Sequence, residues 1–219
     1  MLNDGGSTAI WDAKECALMF IDYQDHVLDL IFAQDRRVIE LNARTLAKMA
    51  VNFDIPVILS TVGVEMGVAG PTIASLRSEL PGVEDIDRSS MNAWSDSNFL
   101  AAVQATGRKK LVMCGISTSA CLTYPAVSAL ADGYEVAFIE DAVGDSTQRQ
   151  HDTAVLRLAH AGAVPNTTVG MIAEWFLDWK KPVADAWRSV AVPYYEEIAT
   201  LQRSPVYEAP HGFTVKKHW

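Results

Sequence analysis

A single cysteine lies in a turn whose surroundings could make it a nucleophile. Cys121 belongs to the stretch GISTSACLTY (115–124), which follows an apolar run and precedes a segment with helical spacing. A thiol at the N-terminus of a helix is close to backbone N–H groups and to the positive end of the helix dipole, and both favour the thiolate. We therefore expect Cys121 to be a nucleophile with a pKa below the value of about 8.5 of free cysteine. The structural alternative is a small residue packed under a helix, which is common for free cysteine.

A nucleophilic thiol needs a group that accepts its proton, and the sequence offers a carboxylate. Asp22 ends the apolar run CALMFID (16–22). Ligands of open parallel sheets bind outside the carboxyl ends of the strands, so Asp22 is placed to act as the base, although an aspartate in a turn or helix cap is also common. His26 is the one histidine before residue 151, and no histidine lies at a predicted strand end. We expect the histidines to be solvated or capping residues.

A second charged residue follows another strand end. Arg88 comes directly after a weak strand at 83–87. Its guanidinium could hold a carboxylate with two hydrogen bonds and stabilise a thiolate. The alternative is a solvated arginine in a loop.

Apolar runs alternate with helical patterns along the chain, which predicts the elements that position these residues. The runs are continuously apolar, as in strands of a parallel sheet that is covered on both faces. We expect an α/β protein, a three-layer αβα sandwich with a mostly parallel, doubly wound sheet. The predicted strands are 16–22, 56–62, 83–87, 110–116, 135–142 and 163–168, and the predicted helices are 36–53, 71–80, 96–107, 120–133, 149–162 and 170–180.

The last part of the chain breaks this alternation. Residues 181–219 contain four prolines and many aromatic residues, and this segment is too apolar for a disordered tail. We therefore expect a domain at 1–180 and a C-terminal arm at 181–219. The arm should pack on this domain or on a neighbouring subunit of a homo-oligomer.

Composition and charge exclude several classes of function. The 219 residues contain 18 Lys and Arg against 27 Asp and Glu, a formal net charge of −9, which opposes binding to nucleic acid and to an anionic membrane. No apolar run approaches the ~20 residues of a bilayer span, and the N-terminus has no signal-peptide pattern. We expect a cytoplasmic protein whose three cysteines are reduced. The stretch GISTS lacks the second glycine of G-x-S-x-G, and GVEMGVAG (63–70) fits neither a dinucleotide-binding loop nor a P-loop, so we expect no cofactor.

Three blocks of sequence carry a family resemblance. They are FIDYQ at the first strand end, RSSMNAW in the long connection at 63–95, and GISTSACLTYPAVSALADGYEVAFIEDA (115–142). In order and spacing, over about 14–180, they resemble the isochorismatase-like cysteine hydrolases, especially the metal-free YcaC-type subgroup. The resemblance implies this family's α/β fold and a small-molecule substrate.

The resemblance implies a role for three side chains. Asp22 matches the general base of the family and Cys121 its nucleophile, while Arg88 stands at the position of its catalytic lysine. Arginine keeps its positive charge and, unlike lysine, does not readily release a proton. Arg88 could therefore hold Asp22 and stabilise the thiolate, but it could not serve a step that needs a neutral amine.

The resemblance also implies the surroundings of these side chains. It places a cis peptide bond between Ile116 and Ser117 and an oxyanion hole at the N–H groups of Ser117 and Cys121. Thr118 should support this turn or cap the following helix. The residues expected to line the substrate pocket are Tyr23, Gln24, Asn92 and Trp94.

The implied reaction is hydrolysis of an amide or related C–N bond through an acyl-enzyme thioester on Cys121. The metal-binding branch of the family has an Asp-x-His pattern and further histidines after the second strand, whereas no histidine occurs here from 27 to 150, so we expect no metal. Members commonly form dimers to octamers, which also favours a homo-oligomer. A hydrolase of thioesters or nitriles, and a catalytically retired binding or assembly protein, are the alternatives.

Overall fold

Continuously apolar segments form the strands of one sheet in the structure, a computed structural model that describes residues 10–202. The strands are β1 (Cys16–Ile21), β2 (Val57–Val62), β3 (Asp85–Arg88), β4 (Lys110–Gly115), β5 (Glu135–Ile139) and β6 (Val164–Asn166). The α-helices are α1 (Asp25–Leu28), α2 (Arg36–Asn52), α3 (Ala74–Arg77), α4 (Ser97–Ala105), α5 (Thr123–Ala131), α6 (Gln148–Ala161), α7 (Thr168–Phe176) and α8 (Ala184–Gln202).

The strands of the sheet run in the order β3-β2-β1-β4-β5-β6, and each neighbouring pair is parallel. Helices flank the sheet: α2 packs against α3, α7 and α8, and α5 packs against α6. The predicted α/β sandwich with a doubly wound sheet is confirmed. The strand order reverses between β1 and β4, and such a switch point is where open parallel sheets bind ligands.

The two central strands end side by side at this switch point. Every residue of β1 is buried, as is β4 after its first residue, which is why both runs are apolar without alternation. Ile21 lies opposite Gly115, and the N–H of Ile116 donates to the carbonyl of Ile21 at 3.0 Å. The chain segments that follow β1 and β4 therefore leave the sheet next to each other.

The segment after β4 differs from the single predicted helix at 120–133. Residues Thr118–Leu122 form a π-helical turn, and α5 begins only at Thr123. Pro125 lies in the first turn of α5, where a missing N–H costs little because that group has no partner within the helix. Cys121 therefore belongs to the π-helical turn rather than to the first turn of an α-helix.

A long helix forms in the segment that breaks the alternation of strands and helices. Helix α8 spans 19 residues and contains Pro193. It packs against α2, where Arg44 and Glu197 form an ion pair at 2.7 Å, and the ring of Trp187 stacks on that of Phe176. Neither α8 nor another helix within residues 10–202 is long and apolar enough to cross a membrane. The rest of the predicted arm, 203–219, lies outside the described residues, and the domain boundary at 180 stays a prediction.

Gly115 allows the turn that carries Cys121 to approach the end of β4. A Cβ atom at this position would lie 2.9 Å from the backbone nitrogen of Leu122 and 3.1 Å from the carbonyl carbon of Cys121. Both are backbone atoms, so no side-chain rotation relieves the contact. Glycine is required here for close approach.

We predict that Gly115→Ala lowers the free energy of unfolding by about 1–3 kcal/mol and slows alkylation of Cys121, because the turn must move away from β4. Gly107→Ala is the matched control, since Gly107 has a φ of 67° and open space at the Cβ position. It should cost about 1–2 kcal/mol through its left-handed backbone and leave Cys121 unchanged. Urea denaturation and iodoacetamide labelling measure the two effects. Equal labelling rates in the two variants would contradict the prediction.

Candidate active site

Two buried side chains of opposite charge meet at the switch point. Asp22, the first residue after β1, accepts hydrogen bonds from both Nη atoms of Arg88, at 2.6 and 2.8 Å. Among the ion pairs of the described residues, this is the one in which both side chains are fully buried. A two-point, charge-assisted pair fixes the relative orientation of its partners. Removal of one partner from a buried pair of this kind costs about 3–5 kcal/mol.

The backbone of the neighbouring strands holds both members of the pair. Asp22 has a φ of 62°, a left-handed conformation that aspartate adopts more readily than most residues, and its N–H donates to the carbonyl of Ser60 at 2.8 Å. Arg88 ends β3, and its Nη1 also donates to the carbonyl of Thr61 at 2.9 Å. Because β2 lies between β1 and β3, the arginine side chain reaches over the end of β2. The pair thus ties three strand ends together.

The thiol of Cys121 lies against this pair. The residue is 7% exposed, and its sulfur interacts with the carboxylate of Asp22, the guanidinium of Arg88 and the backbone N–H of Ser117. The structure therefore brings together the three side chains that the sequence singled out. The small exposed fraction leaves the sulfur at the edge of the buried region.

The electrostatic surroundings of Cys121 contradict one sequence-based expectation. Burial is the largest influence on this thiol and raises its pKa, and the charge and hydrogen bond of Asp22 raise it further. Arg88 and the Ser117 N–H lower the pKa but do not compensate. The expected low pKa is therefore wrong for the protein without substrate, because desolvation outweighs the local helix dipole. The thiol is protonated and adjacent to a carboxylate.

The turn before Cys121 is attached to the neighbouring loop by its backbone. The Ile116–Ser117 peptide bond is cis. The N–H of Thr118 donates to the carbonyl of Gly144 at 2.9 Å, and the N–H of Ser119 donates to Oδ2 of Asp145 at 2.8 Å. The N–H of Ser117, the residue before them, faces the sulfur of Cys121.

Two of the four expected pocket residues make hydrogen bonds within the protein through their polar side-chain atoms. Tyr23 is 1% exposed and donates its hydroxyl to the carbonyl of Ala142 at 2.5 Å. The side-chain amide of Gln24 binds the loop after β2: it donates to the carbonyls of Val62 and Gly70, and its oxygen accepts from the Val62 N–H. Their polar atoms are satisfied within the protein, which favours a structural role over the expected contact with substrate.

The other two expected pocket residues anchor the connection before α4. The Asn92 amide donates to Oγ of Ser128 at 3.1 Å, and the indole N–H of Trp94 donates to Asp132 at 2.7 Å. Ser128 lies in the second half of α5 and Asp132 follows its end, whereas Cys121 precedes the start of this helix. Asn92 and Trp94 therefore attach the loop to the C-terminal part of α5, at the opposite end of this helix from Cys121.

His151 is a residue that the sequence analysis misjudged. His26 and His160 are exposed, as expected, but His151 is 1% exposed. Its ring nitrogens contact Oγ1 of Thr118 at 3.0 Å and Oε1 of Glu140 at 3.1 Å. The one available signal was its position on the inner face of α6, together with Ala154 and Leu158 at helical spacing. Within residues 10–202, no group of three or more His, Cys, Asp or Glu side chains is arranged to hold a metal ion.

Sequence comparison identifies relatives over most of the chain. The Isochorismatase domain model matches residues 16–169. The Escherichia coli protein "Probable hydrolase YcaC" is 32% identical over 173 residues, which are 78% of this chain and 83% of that protein. Isochorismatase domain-containing protein 2 of Danio rerio is 30% identical over 169 residues, 77% of this chain and 83% of the relative.

Two solved structures of YcaC proteins have the same fold. YcaC from Pseudomonas aeruginosa, solved with hexane-2,5-diol and covalent acrylamide, is 29% identical with a TM-score of 0.81, covering 89% of this chain and 98% of that one. YcaC from Escherichia coli, described as an octameric hydrolase of unknown specificity, is 31% identical with a TM-score of 0.79, covering 88% and 96%. The resemblance drawn from the three sequence blocks is confirmed. Because the family model spans well over half of the residues and the YcaC proteins match along most of their length, this chain belongs to the isochorismatase family of hydrolases, in its YcaC-type subgroup.

Proposed function

We propose that this protein is a cysteine-dependent hydrolase that cleaves an amide or related C–N bond of a small molecule. The observation that carries the proposal is the fully buried Asp22–Arg88 pair in contact with the thiol of Cys121 at the switch point of the sheet. A protonated thiol beside a carboxylate is a nucleophile with its base already in place. Cys121 is only 7% exposed, which favours a small substrate.

The acylation step follows from these contacts. Asp22 accepts the thiol proton as the sulfur of Cys121 attacks the carbonyl carbon, and the C=O electron pair moves to oxygen. The N–H groups of Ser117 and Cys121 are proposed to stabilise this oxyanion. When the C–N bond breaks, Asp22 returns the proton to the leaving nitrogen, and an acyl thioester remains on Cys121.

Hydrolysis of the thioester reverses the roles. Asp22 accepts a proton from water as the water oxygen attacks the acyl carbon, and the C–S bond breaks to release the carboxylic acid. The thiolate takes the proton from Asp22, which restores the resting pair. No metal or cofactor enters this scheme.

Arg88 acts as a permanent positive charge in the proposed mechanism. Burial favours loss of its charge, but hydrogen bonds and charge interaction with Asp22 outweigh burial and raise the pKa of Arg88 above its ordinary value. It therefore transfers no proton at any accessible pH. Its proposed role is to orient Asp22 and to stabilise the thiolate as the thiolate forms, which does not require the lysine that the family resemblance implies at this position.

One relative supports a reactive nucleophile in this family. The YcaC structure from Pseudomonas aeruginosa contains covalent acrylamide, which a thiol attacks at its β-carbon without breaking the C–N bond, so the amide class of substrate rests on the family resemblance. Thioesters and nitriles would use the same nucleophile and base and are the second candidate class. A retired enzyme that serves as a binding protein is favoured by the raised pKa of the Cys121 thiol, and the next experiment separates it from a hydrolase.

We predict that small primary amides, ureides or thioesters form an acyl adduct on Cys121 that intact-mass spectrometry detects after rapid acid quenching. Cys121→Ala should lose both the adduct and turnover completely, since the sulfur is the attacking atom. Cys16→Ala is the control, because Cys16 is fully buried with a pKa raised to about 12 by burial, and it should keep the adduct. An adduct that persists in Cys121→Ala would refute the thiol mechanism, whereas a wild-type protein inert to every class would favour the retired alternative.

The pH dependence of alkylation should reveal the charges around the sulfur. A raised pKa keeps a thiol protonated to higher pH, so iodoacetamide should alkylate Cys121 at a rate that still increases above pH ~8.5, the pKa of free cysteine. Asp22→Asn removes an influence that raises the pKa and leaves Arg88 uncompensated, so its curve should move to lower pH while turnover is lost. Arg88→Met removes an influence that lowers the pKa and should move the curve to higher pH.

Arg88→Lys is the matched control for this series, because it keeps a positive charge and should stay near the wild-type curve. Mass spectrometry of the peptide that contains Cys121 measures each rate, and circular dichroism confirms that each variant is folded. A shift of the Asp22→Asn curve to higher pH would contradict the assigned electrostatics.

We also propose that the chain assembles into a homo-oligomer, with α8 as part of the contact surface. The Escherichia coli relative is octameric, and α8 exposes Val192 and Tyr195 at 41% and 37%. Apolar groups on a helix surface indicate an interaction site when they lie together. We further propose a cytoplasmic location without nucleic-acid or membrane partners, in keeping with the net charge of −9.

We predict that light scattering finds an oligomer for the wild-type protein and a smaller species for the double variant Val192→Glu and Tyr195→Glu, because buried charge opposes association. Leu156→Glu on α6, where the leucine is 58% exposed, is the control and should leave the mass unchanged. Two results would exclude α8 from the interface: a monomeric wild-type protein, or a double variant whose assembly has the same mass as that of the wild type.

A further inference from the structure

A network of hydrogen-bonded side chains, separate from the Asp22–Arg88 pair, contacts the turn that carries Cys121. Glu140 follows β5, His151 lies on α6, and Thr118 opens the π-helical turn. Oε1 of Glu140 is 3.1 Å from Nε2 of His151, and Nδ1 of His151 is 3.0 Å from Oγ1 of Thr118. Thr118 is fully buried and His151 nearly so. This hydrogen-bond network therefore connects the end of β5, helix α6 and the turn that carries Cys121 through the interior.

The partners determine which atoms carry the hydrogens when the imidazole is neutral. A carboxylate oxygen accepts hydrogen bonds, so Nε2 of His151, which faces Oε1 of Glu140, carries the hydrogen. Nδ1 is then an acceptor, and the Thr118 hydroxyl donates to it. A ring with both nitrogens bonded is held in one orientation and in one tautomer.

Thr118 is consequently held by each of its polar groups. Its N–H donates to Gly144, its carbonyl accepts from the hydroxyl of Thr123 at 2.6 Å, and its own hydroxyl contacts His151. The preceding residue is Ser117, whose N–H faces the sulfur of Cys121. A shift of Thr118 would therefore change the direction of that N–H and the position of the sulfur together.

A contribution to stability does not by itself explain this hydrogen-bond network. The Glu140 side chain is 46% exposed, and an ion pair or hydrogen bond with such a partner adds little to stability because water competes for it. An apolar residue in place of the imidazole would fill the same space without needing partners. The contact of His151 that still needs an explanation is the one to Thr118, which lies next to the reacting groups.

We propose that His151 is a positioning residue of the active site: oriented by Glu140, it fixes Thr118 and thereby sets the sulfur of Cys121 and the Ser117 N–H relative to Asp22. This inference rests on the proposed function of Cys121. It assigns no contact between His151 and the substrate and no proton transfer to or from it.

Two pairs of substitutions separate the contact from the packing. Asparagine places its amide near the position of Nδ1 and can keep the bond to Thr118, whereas glutamine reaches the position of Nε2 and keeps the bond to Glu140 instead. Thr118→Val removes the hydroxyl with little change in shape, and Thr118→Ser keeps it. His160→Gln is the control on the same helix, because His160 is exposed and its ring is bonded, within residues 10–202, to the carbonyl of Leu156 of the same helix.

The first readout is covalent labelling of Cys121 by acrylamide, followed by intact mass over a range of acrylamide concentrations. In this addition the sulfur bonds to the β-carbon and the thiol proton ends on the α-carbon. We expect His151→Gln and Thr118→Val to lower the limiting rate about tenfold, since small misplacement of reacting groups is costly, with the half-saturating concentration unchanged. His151→Asn, Thr118→Ser and His160→Gln should stay within about threefold of the wild type.

The second readout does not depend on chemistry. Hydrogen exchange of the backbone amides in 115–124 should be faster in His151→Gln and Thr118→Val than in the wild type, and unchanged in His151→Asn. Unchanged exchange in His151→Gln, or equal damage in His151→Asn and His151→Gln, would overturn the positioning role. Labelling that persists in Cys121→Ala, or a wild type that acrylamide does not label, would instead refute the proposed nucleophile, while the exchange data still decide the role of His151.

Discussion

The buried ion pair between Asp22 and Arg88 is the constraint on which the rest of the site depends. Taking two charges out of water is unfavourable unless their geometry is good and their remaining hydrogen bonds are satisfied. Here both Nη atoms of Arg88 are bonded, to the carboxylate of Asp22 and to the carbonyl of Thr61, whereas Nε has no hydrogen-bond partner within residues 10–202. The pair joins the ends of β1 and β3 across β2. A carboxylate held in this way can exchange a proton with a neighbouring thiol without losing its orientation.

The thiol is held against the pair by a turn that has little freedom. Gly115 permits close approach of the turn to β4, and hydrogen bonds to Gly144 and Asp145 attach it to the loop after β5. The contact of His151 with Thr118 adds a third attachment from α6. Strand, loop and helix therefore converge on this turn, as expected where reacting groups must be held within a fraction of an ångström.

The raised pKa of the Cys121 thiol fits the proposed mechanism, in which the sulfur loses its proton to Asp22 only as it attacks the substrate. Burial and the charge of Asp22 keep the proton on sulfur, while Arg88 and the Ser117 N–H stabilise the thiolate once it forms. In the proposed mechanism one proton passes between Cys121 and Asp22, while Arg88 keeps its charge and transfers no proton. Arginine at a position where the family resemblance implies lysine fits this division of roles, because only positive charge and orientation are required.

Continuously apolar runs and turn residues are local signals, and the carboxyl ends of parallel strands lie on one edge of a sheet, so the α/β fold, the strand ends and the three side chains that meet there could be predicted from the amino acids. The sign of the Cys121 pKa shift, the burial of His151 and the structural contacts of Tyr23, Gln24, Asn92 and Trp94 became known only from the folded protein. The same is true of the helical conformation of α8 through Pro193. These properties depend on desolvation and on partners far apart in the chain, such as Thr118 and His151, and neither spacing nor composition records which distant groups will share a water-free interior.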